Sequence, residues 1–189
     1  MPVINIEFED LNRMLKEPLN SEEFSEIIPK IGADPDDIND KEASVEFFPD
    51  RPDLLSTEGV ARALRAFTEQ ELGLVDYKIN EPTTHMFVSP EVLGVRPFVL
   101  GGIVRGIKLD DAAIKCVMEL QEKLHVTLGR RRKKVSIGIH DLAKVQGPFS
   151  YDVCSEHEPA FIPLQEEHEM TPGEILKEHP KGIEYAHLL

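Results

Sequence analysis

The most restrictive feature of the sequence is a loss of hydrophobic periodicity between Gly73 and Ser89. Asparagine, proline and threonine accumulate there, which is typical of a short connection between domains. Strand-like and helix-like patterns stand on both sides of this stretch. Because 189 residues suffice for two small domains, we expect a first unit at 1–75, a connection at 76–88 and a second unit at 89–189.

In the first unit, alternating apolar residues predict short strands at 4–8 and 44–48. Asp10 and Ser21 stand where the N-caps of two short helices are expected. A longer helix is marked by apolar residues at i, i+4 and i+7, which should face inward: Val60, Leu64 and Phe67. The tract at 32–40 is rich in aspartate and contains glycine and proline, so its composition predicts a loop.

The second unit contains a helix of about five turns, capped by Asp110 or Asp111 and closed by Gly129. Its apolar residues form one stripe, which we expect to face the core: Ile114, Val117, Met118, Leu120, Leu124 and Leu128. Apolar runs and alternation predict further strands at 97–107, 135–139, 149–153 and 160–164. Thr171 begins the capping box of a last helix. The chain as a whole is predicted to be an α+β protein.

Two polar residues, Gln121 and His125, lie on the same stripe of this helix. Packing alone would favour leucine at both positions, so we expect each to have a hydrogen-bond partner. His140 and Asp141 follow the strand predicted at 135–139, and such a pair suits acid–base chemistry or the orientation of a ligand. A structural histidine beside a carboxylate is the commoner arrangement. We expect Gln121 and His140 to face one cavity, because the helix must cover this strand.

The charge is distributed unevenly along the chain. A net charge of −14 argues against a general nucleic-acid binder. Residues 101–150, however, carry ten basic and five acidic side chains, and five of the basic ones are consecutive, at 130–134. These cations could meet RNA phosphates through charge-assisted hydrogen bonds. On composition alone, a solvated surface loop is the commoner role of such a run.

Several classes of function are excluded by what the sequence lacks. Seven histidines occur without HExxH or paired CxxC spacing, so no metal site is expected. A P-loop and a complete dinucleotide-binding glycine pattern are also missing. Neither membrane insertion nor export is expected, because no run of 18 apolar residues occurs and residues 1–10 are acidic. Cys116 and Cys154 have no CxxC spacing and agree with a reducing, cytoplasmic location.

One stretch of the sequence resembles a signature of the phenylalanyl-tRNA synthetase β subunit. It reads Asp-Arg-Pro-Asp-Leu-Leu-Ser-Thr-Glu-Gly-Val-Ala-Arg-Ala-Leu at 50–64. In the family the pattern is Asn/Asp-Arg-Pro-Asp-x-Leu-Ser-x-x-Gly-x-Ala-Arg-x-Leu, and Asp50 here replaces the frequent Asn. Four further segments resemble the archaeal and eukaryotic branch of the family: 120–125, 135–142, 170–176 and 179–189. The similar segments follow the family order along the whole chain.

The resemblance implies an N-terminal fragment of a non-adenylating β subunit. Residues 1–75 would be a B1-like domain, and 89–189 would begin a B3/B4-like editing domain. In this family, two α and two β chains form a heterotetramer whose α subunit binds ATP and Mg²⁺. This chain would bind no cofactor itself. It would contribute to assembly of the ligase, to binding of tRNA(Phe) and to hydrolysis of mischarged tyrosyl-tRNA(Phe).

Editing has a physical reason, because tyrosine differs from phenylalanine by one hydroxyl, which an apolar pocket rejects only weakly. The resemblance implies an editing pocket in which four residues are expected: Gln121, His125, Arg132 and His140. The tRNA is expected to contact four basic side chains: Arg130, Arg131, Lys133 and Lys134. The hydrolytic residues are expected downstream of Leu189, so the fragment alone would be inactive.

A second class of function stays open at this stage. The chain could be a freestanding trans-editing hydrolase or an RNA-binding module without a ligase partner. A subunit fragment should leave an exposed apolar edge at 186–189, and the apolar end of the sequence favours a truncation. A freestanding protein should instead end on a polar surface.

Overall fold

The computed structural model describes residues 2–188 and confirms the predicted α+β class. The helices are α1 (Phe8–Met14), α2 (Ser21–Ile27), α3 (Thr57–Phe67), α4 (Asp111–Val126), α5 (Pro172–Glu178) and α6 (Pro180–Tyr185). The strands are β1 (Val3–Glu7), β2 (Ala33–Ile38), β3 (Glu42–Phe47), β4 (Met86–Val88) and β5 (Phe149–Tyr151). No helix within the described range is long and apolar enough to cross a membrane.

The chain forms two compact units, and neither is continuous in sequence. The first unit extends through Lys78 and includes Ile107–Gly138; the second combines Ile79–Gly106 with the residues from Ile139 onward. Helix α4 therefore belongs to the first unit. The extents of the family domains, at 1–75 and 89–189, stay predictions.

The first unit is built on a three-stranded antiparallel sheet with the order β1, β3, β2. Strands β1 and β3 alternate buried residues with residues that are exposed or only partly buried, as the period of two along a strand requires. The predicted strands at 4–8 and 44–48 are therefore confirmed, with the small shifts at their ends that are usual for strand boundaries.

The loop predicted at 32–40 is wrong, because β2 occupies most of this tract. This strand lies at the edge of the sheet and pairs with β3, with an irregular register between Pro35 and Asp37. Proline has no N–H to donate to a neighbouring strand, and it is tolerated at an edge because one side of an edge strand has no such neighbour. Composition indicated a loop because aspartate and proline are rare in strands. The pairing with β3 makes this tract a strand, and the composition of the tract alone does not reveal that pairing.

The helices cover one face of this sheet with a continuous core. The rings of Phe8 and Phe24 meet edge to face, with their centroids 5.2 Å apart, and both side chains are buried. Val60 and Leu64 of α3 are fully buried, as the periodicity predicted. Phe67, at the end of the same helix, is 46% exposed, so its predicted inward position is wrong. Phe67 is the last residue of α3, and the periodicity of a helix does not reveal whether the core extends as far as its end.

The predicted helix starts of α1 and α2 are each displaced by one or more residues. Helix α1 already begins at Phe8, so Asp10 lies in its first turn rather than at its N-cap. Helix α2 is capped by Asn20, one residue before Ser21. The Asn20 side chain accepts a hydrogen bond from the Glu23 N–H, and the Glu23 carboxylate accepts one from the Asn20 N–H, which completes a capping box.

The start of α3 accounts for much of the Arg-Pro-Asp-x-Leu-Ser-x-x-Gly signature. Ser56 is the N-cap, and its hydroxyl accepts the N–H of Gly59 at 3.1 Å. Leu54 and Leu55 are fully buried. Gly59 lies against the backbone carbonyl of Asp53 so closely that a Cβ atom there would be 1.7 Å from the carbonyl oxygen. The signature therefore specifies a turn, a cap and a close approach of two backbone segments.

Arg51 and Asp53 stabilise this turn from the outside. Arg51 Nε and Nη2 donate to the two carboxylate oxygens of Asp53 at 3.0 and 2.9 Å. The hydrogen bonds from Arg51 hold the pKa of Asp53 below its ordinary value. The turn Pro52–Leu54 then leads into α3. This agrees with a structural role for the pair, although both side chains stay partly exposed.

Helix α4 is confirmed, but the predicted inward stripe is only partly correct. Asp110 caps the helix by accepting the Ala113 N–H at 2.9 Å. Leu120 and Leu124 pack against the core of the first unit. Ile114, Met118 and Leu128 are about half exposed. The apolar residues span an arc wider than the contact face, so periodicity alone cannot tell which edge of the arc is buried.

The second unit contains a small parallel sheet of β4 and β5, together with α5 and α6. The strand predicted at 149–153 is confirmed in a shorter form as β5. The predicted capping box is also present: Thr171 Oγ1 accepts the Glu174 N–H, and the Glu174 carboxylate accepts the Thr171 N–H. These two bonds fix the beginning of α5.

Three predicted strands, at 97–107, 135–139 and 160–164, are wrong. Among residues 2–188, none of the three segments forms a ladder, apart from a single bridge between Phe161 and Met170. Phe98 and Leu100 are 90% and 100% exposed. A strand requires a neighbour to which it can hydrogen-bond, and apolar patterning does not reveal whether that neighbour is present.

Candidate functional site

Gln121 lies on the half-buried side of α4, and the partner expected for it is not found among the described residues. Its side-chain oxygen Oε1 is buried and accepts no hydrogen bond from this part of the chain. Arg65 Nε is also buried without a hydrogen bond, but it lies 3.4 Å from Glu71 Oε2 in an ion pair. An unsatisfied buried polar group costs about 1–3 kcal/mol. Gln121 Oε1 is therefore a buried acceptor whose hydrogen-bonding capacity no group of the described residues uses.

His125 is buried, and protein groups occupy both of its ring nitrogens. The Ile137 N–H donates to His125 Nε2 at 2.7 Å. His125 Nδ1 lies 3.3 Å from Glu122 Oε1. Because Nε2 accepts a hydrogen bond, the proton of the neutral ring is on Nδ1 and is donated to the carboxylate. The ring thereby connects α4 to the segment after the basic run, and this geometry gives it a positioning role.

Glu122 links His125 to Arg132, since Arg132 Nη2 forms a short ion pair with the same oxygen, Oε1. Burial alone would raise the pKa of Glu122, but its hydrogen bonds with Arg132 and His125 outweigh this effect and lower the pKa. The Arg132 side chain is only 18% exposed. Glu122 therefore holds Arg132 against the end of α4.

The chain after α4 makes a left-handed turn. Arg130, Arg131 and Arg132 have φ angles of 50°, 55° and 66°. Three successive non-glycine residues in this region are unusual, and each costs about 1–2 kcal/mol. The turn is closed by bonds to α4 and its end, including one from the Arg132 N–H to the His125 carbonyl at 3.1 Å. Gly129 is buried beneath it, and a Cβ there would lie 2.5 Å from the Val135 carbonyl oxygen.

The four remaining cations of the run lie on the surface of this turn. They are all exposed: Arg130, Arg131, Lys133 and Lys134. No carboxylate in the described part of the chain forms an ion pair with any of the four. Arg132 differs from its neighbours because it points back to Glu122. The turn thus combines one anchored arginine with four solvent-facing cations.

His140 lies in the second unit and is exposed. Its neighbour Asp141 does not orient it: Asp141 Oδ1 accepts the Ala143 N–H at 3.0 Å and caps a short 3-10 turn. The structure therefore joins His125 and Arg132 through Glu122, whereas Gln121 and His140 belong to different units. A cavity shared by Gln121 and His140 stays a prediction.

Sequence reasoning missed Glu122, which has the central position in this cluster. One signal could have indicated it, because a carboxylate three residues before a histidine lies on the same side of a helix. The contact between Arg132 and Glu122 had no such signal. It depends on the left-handed turn, which reverses the chain within a few residues of the helix end.

Comparison with known proteins supports the resemblance noted in the sequence. Residues 1–70 match the model of the Phe-tRNA synthetase beta subunit B1 domain. The whole chain is 45% identical to the phenylalanine–tRNA ligase beta subunit of Methanosarcina barkeri and 43% identical to that of Methanosphaera stadtmanae, covering 34% of each. A crystal structure of an N-terminal fragment of the phenylalanyl-tRNA synthetase beta subunit from Pyrococcus horikoshii matches with a TM-score of 0.92 and 34% identity. That match covers 100% of this chain and 55% of the other.

The fold and these matches together assign the chain to a class of proteins whose full-length members are components of aminoacyl-tRNA synthetases. More narrowly, the chain belongs to the phenylalanyl-tRNA synthetase β-subunit family. It spans about a third of the length of the curated relatives it matches.

Proposed function

We propose that the chain works as part of a phenylalanine–tRNA ligase β subunit and contributes to hydrolysis of mischarged tyrosyl-tRNA(Phe). The similarity to such subunits extends over all 189 residues. The α subunit is the proposed partner, in an α2β2 ligase, and would hold ATP and Mg²⁺. The observation that carries the editing role is the buried, unsatisfied acceptor Gln121 Oε1.

The proposed recognition uses the phenolic hydroxyl, which is the one group that distinguishes tyrosine from phenylalanine. The phenol of tyrosine donates a hydrogen bond to Gln121 Oε1, whereas phenylalanine leaves this oxygen unsatisfied. Relief of an unsatisfied group is worth about 1–3 kcal/mol, which corresponds to about a five- to 150-fold preference for tyrosine. A site built around a polar acceptor discriminates in the direction that editing requires.

The other residues expected in the pocket take different parts in this proposal. His125 and Arg132 are already bonded to Glu122, so they position α4 and the following turn. Gln121 is then the residue that binds the phenol hydroxyl. His140 stays a proposed lining residue. The bond-breaking groups are proposed to lie outside residues 1–189.

Gln121→Leu in the complete ligase tests the editing role. Leucine removes the acceptor with little change in volume, so kcat/KM for hydrolysis of tyrosyl-tRNA(Phe) should fall about five- to 150-fold. Aminoacylation with phenylalanine should be unchanged, because the proposed synthetic site lies on the α subunit. Gln121→Glu is the matched control, since it keeps an acceptor oxygen at the same position and should retain more hydrolysis.

Equal hydrolysis by the Gln121→Leu variant and the parent would contradict the editing role and leave Gln121 as a core amide. The leucine variant should also resist urea better than the parent, because it removes an unsatisfied buried group. Tyrosyl-tRNA hydrolysis by the 189-residue chain without the rest of the ligase would contradict the subunit proposal and favour a freestanding hydrolase.

A further inference from the structure

The two edges of the three-stranded sheet differ in how they are protected against further pairing. At one edge, β2 contains Pro35 and an irregular register before Asp37, and both features hinder the addition of another strand. At the other edge, β1 pairs with β3 in an unbroken register over Val3–Glu7 and contains no proline. Within residues 2–188, β3 is the only neighbour of β1 in this sheet. The β1 edge is therefore open to a further strand.

The ladder identifies the backbone groups that β1 offers at this edge. The Phe8 N–H donates to the Lys41 carbonyl, and the Phe47 N–H donates to the Pro2 carbonyl. Because hydrogen-bonded and non-hydrogen-bonded pairs alternate in an antiparallel ladder, the even-numbered residues of β1 carry the bonds to β3. The backbone groups that point away from β3 belong to three exposed residues: Val3, Asn5 and Glu7.

The side chains beside this edge are acidic. Glu7 lies directly opposite Glu42, and like charges in this position destabilise a sheet. Asp37 lies opposite Ser44, which is also the partner of Asn5, so these three side chains form a row across the same face. None of the three strands contains a lysine or an arginine. The face that the helices leave uncovered therefore carries a repulsion that a cation would relieve.

A cavity of about 80 Å³ on this face suits a cationic side chain. Asn5, Asp37 and Glu42 are among the residues that line it. Carboxylate and amide oxygens accept hydrogen bonds from ammonium and guanidinium groups. Neighbouring strands are about 4.8 Å apart, so a long basic side chain on a strand added beside β1 extends over Asn5 toward this cavity.

We propose that the β1 edge binds an extended basic segment of a partner protein, which adds a further strand to the sheet. Backbone hydrogen bonds to β1 supply affinity, and lysine or arginine at alternate positions of the segment supplies specificity through the acidic face. A second copy of this chain is a poor occupant, because residues 1–50 carry 14 acidic and four basic side chains and repel their equivalents.

Binding of a fluorescein-labelled peptide to the 189-residue chain, measured by fluorescence anisotropy, tests the surface. The peptide alternates four lysines with three valines, and we expect saturable binding that weakens between 50 and 300 mM salt, since exposed charges are screened. Two control peptides separate charge from pairing. Glutamate in place of lysine reverses the charge, whereas proline in place of valine keeps the charge and removes backbone donors. Both should bind at least about tenfold more weakly.

The matched pair Asn5→Pro and Asn5→Ala tests whether the backbone of β1 takes part. Both variants lose the amide side chain, but only proline removes the outward N–H, and the bonds from β1 to β3 stay available in both. Proline should weaken binding of the lysine peptide about tenfold or more relative to alanine. If Asn5→Pro melts below the assay temperature, Val3→Pro with Val3→Ala makes the same comparison at the first residue of the strand, where proline is better tolerated.

Glu7→Gln with Glu42→Gln tests the acidic face by two effects of opposite sign. Binding of the lysine peptide should weaken about two- to twenty-fold and depend less on salt, because two exposed charges are lost. The free protein should become slightly more stable to urea, because the two side chains no longer repel each other. Glu22→Gln with Glu26→Gln is the matched control, two exposed carboxylates on α2, and should leave binding nearly unchanged.

Three kinds of result would overturn the inference. Equal binding by the proline and alanine variants would exclude pairing at the β1 edge. Equal binding of the glutamate peptide, or unchanged affinity in the Glu7 and Glu42 double variant, would exclude a basic partner. A free chain that sediments as a dimer and becomes a monomer with Asn5→Pro would assign the edge to a second copy. Tyrosyl-tRNA hydrolysis enters none of these readouts, so the editing proposal and this one can fail separately.

Discussion

Replacing Gly59 by alanine should destabilise the first unit, although helix propensity predicts the opposite. Gly59 lies in the first turns of α3, where alanine is favoured over glycine by about 1 kcal/mol. The structure places a Cβ at this position 1.7 Å from the Asp53 carbonyl oxygen, half of the 3.4 Å at which ordinary contact begins. The obstacle is backbone, so the turn and the helix must move apart.

The size of this effect follows from what that movement disrupts. Overpacking in a closely packed site costs about 1–3 kcal/mol or more. A shift of the helix start also weakens the Ser56 cap on the Gly59 N–H, which is worth about 1 kcal/mol. The weakened cap and the gain in helix propensity on replacing glycine by alanine are each about 1 kcal/mol and offset each other. The net loss in unfolding free energy is therefore that of overpacking alone, about 3 kcal/mol at the upper end of its range. For a unit of this size, that lowers Tm by roughly 10–20 °C.

Thermal and urea unfolding followed by circular dichroism measure this change. Gly94→Ala is the matched control, because a Cβ at Gly94 would meet nothing within 4 Å and the backbone there has no positive φ. Its Tm should change by only a few degrees. A Gly59→Ala variant that melts at or above the parent temperature would refute the close approach to Asp53 and the structural interpretation of the signature.

Two further predictions concern ion pairs. Asp53→Ala should lower the unfolding free energy by no more than about 1 kcal/mol, because the pair with Arg51 is partly exposed. A larger loss would contradict the weakness expected of an exposed pair, and unchanged stability with lost α-subunit binding would contradict its role in the turn. The Glu122 pair stabilises the fold above the ordinary carboxyl pKa of 4.5 and loses its effect as the pH falls below that value, since its folded pKa is lowered. Urea midpoints of the parent and Glu122→Gln should therefore differ at pH 7 and converge as the pH is lowered through the folded pKa of Glu122, and a constant difference would refute the assignment.

Local signals in the sequence predicted the elements that local interactions define. Helices α3 and α4 carry both a cap and an apolar period, so their existence could be predicted within a few residues. The capping box at Thr171 has the same origin. Strand β2 could not be predicted, because its aspartates and proline favour a loop and only pairing with β3 overrides them. The unpaired segment at 97–107 is the reverse case, with strand-like residues but no ladder.

The candidate site was predictable to a similar degree. Polar residues on an apolar stripe indicated that Gln121 and His125 are special, and the structure distinguishes them, since His125 is fully bonded and Gln121 Oε1 is not. The basic run at 130–134 could be recognised directly in the sequence. Its left-handed backbone was not, because positive φ angles are rare outside glycine and no residue type in the run favours them.

The most direct test of the central claim is a chimeric β subunit. Residues 1–189 would replace the matched segment of the Methanosarcina barkeri β subunit, to which they are 45% identical, and the chimera would be purified with its α subunit. The measured quantity is the rate of tyrosyl-tRNA(Phe) hydrolysis by this complex, with phenylalanine charging as the internal reference. We expect the α subunit to co-purify, charging to be retained, and hydrolysis to match the parent ligase within a few-fold. A folded chimera that purifies without the α subunit, or that charges tRNA but leaves tyrosyl-tRNA(Phe) intact, would contradict the account.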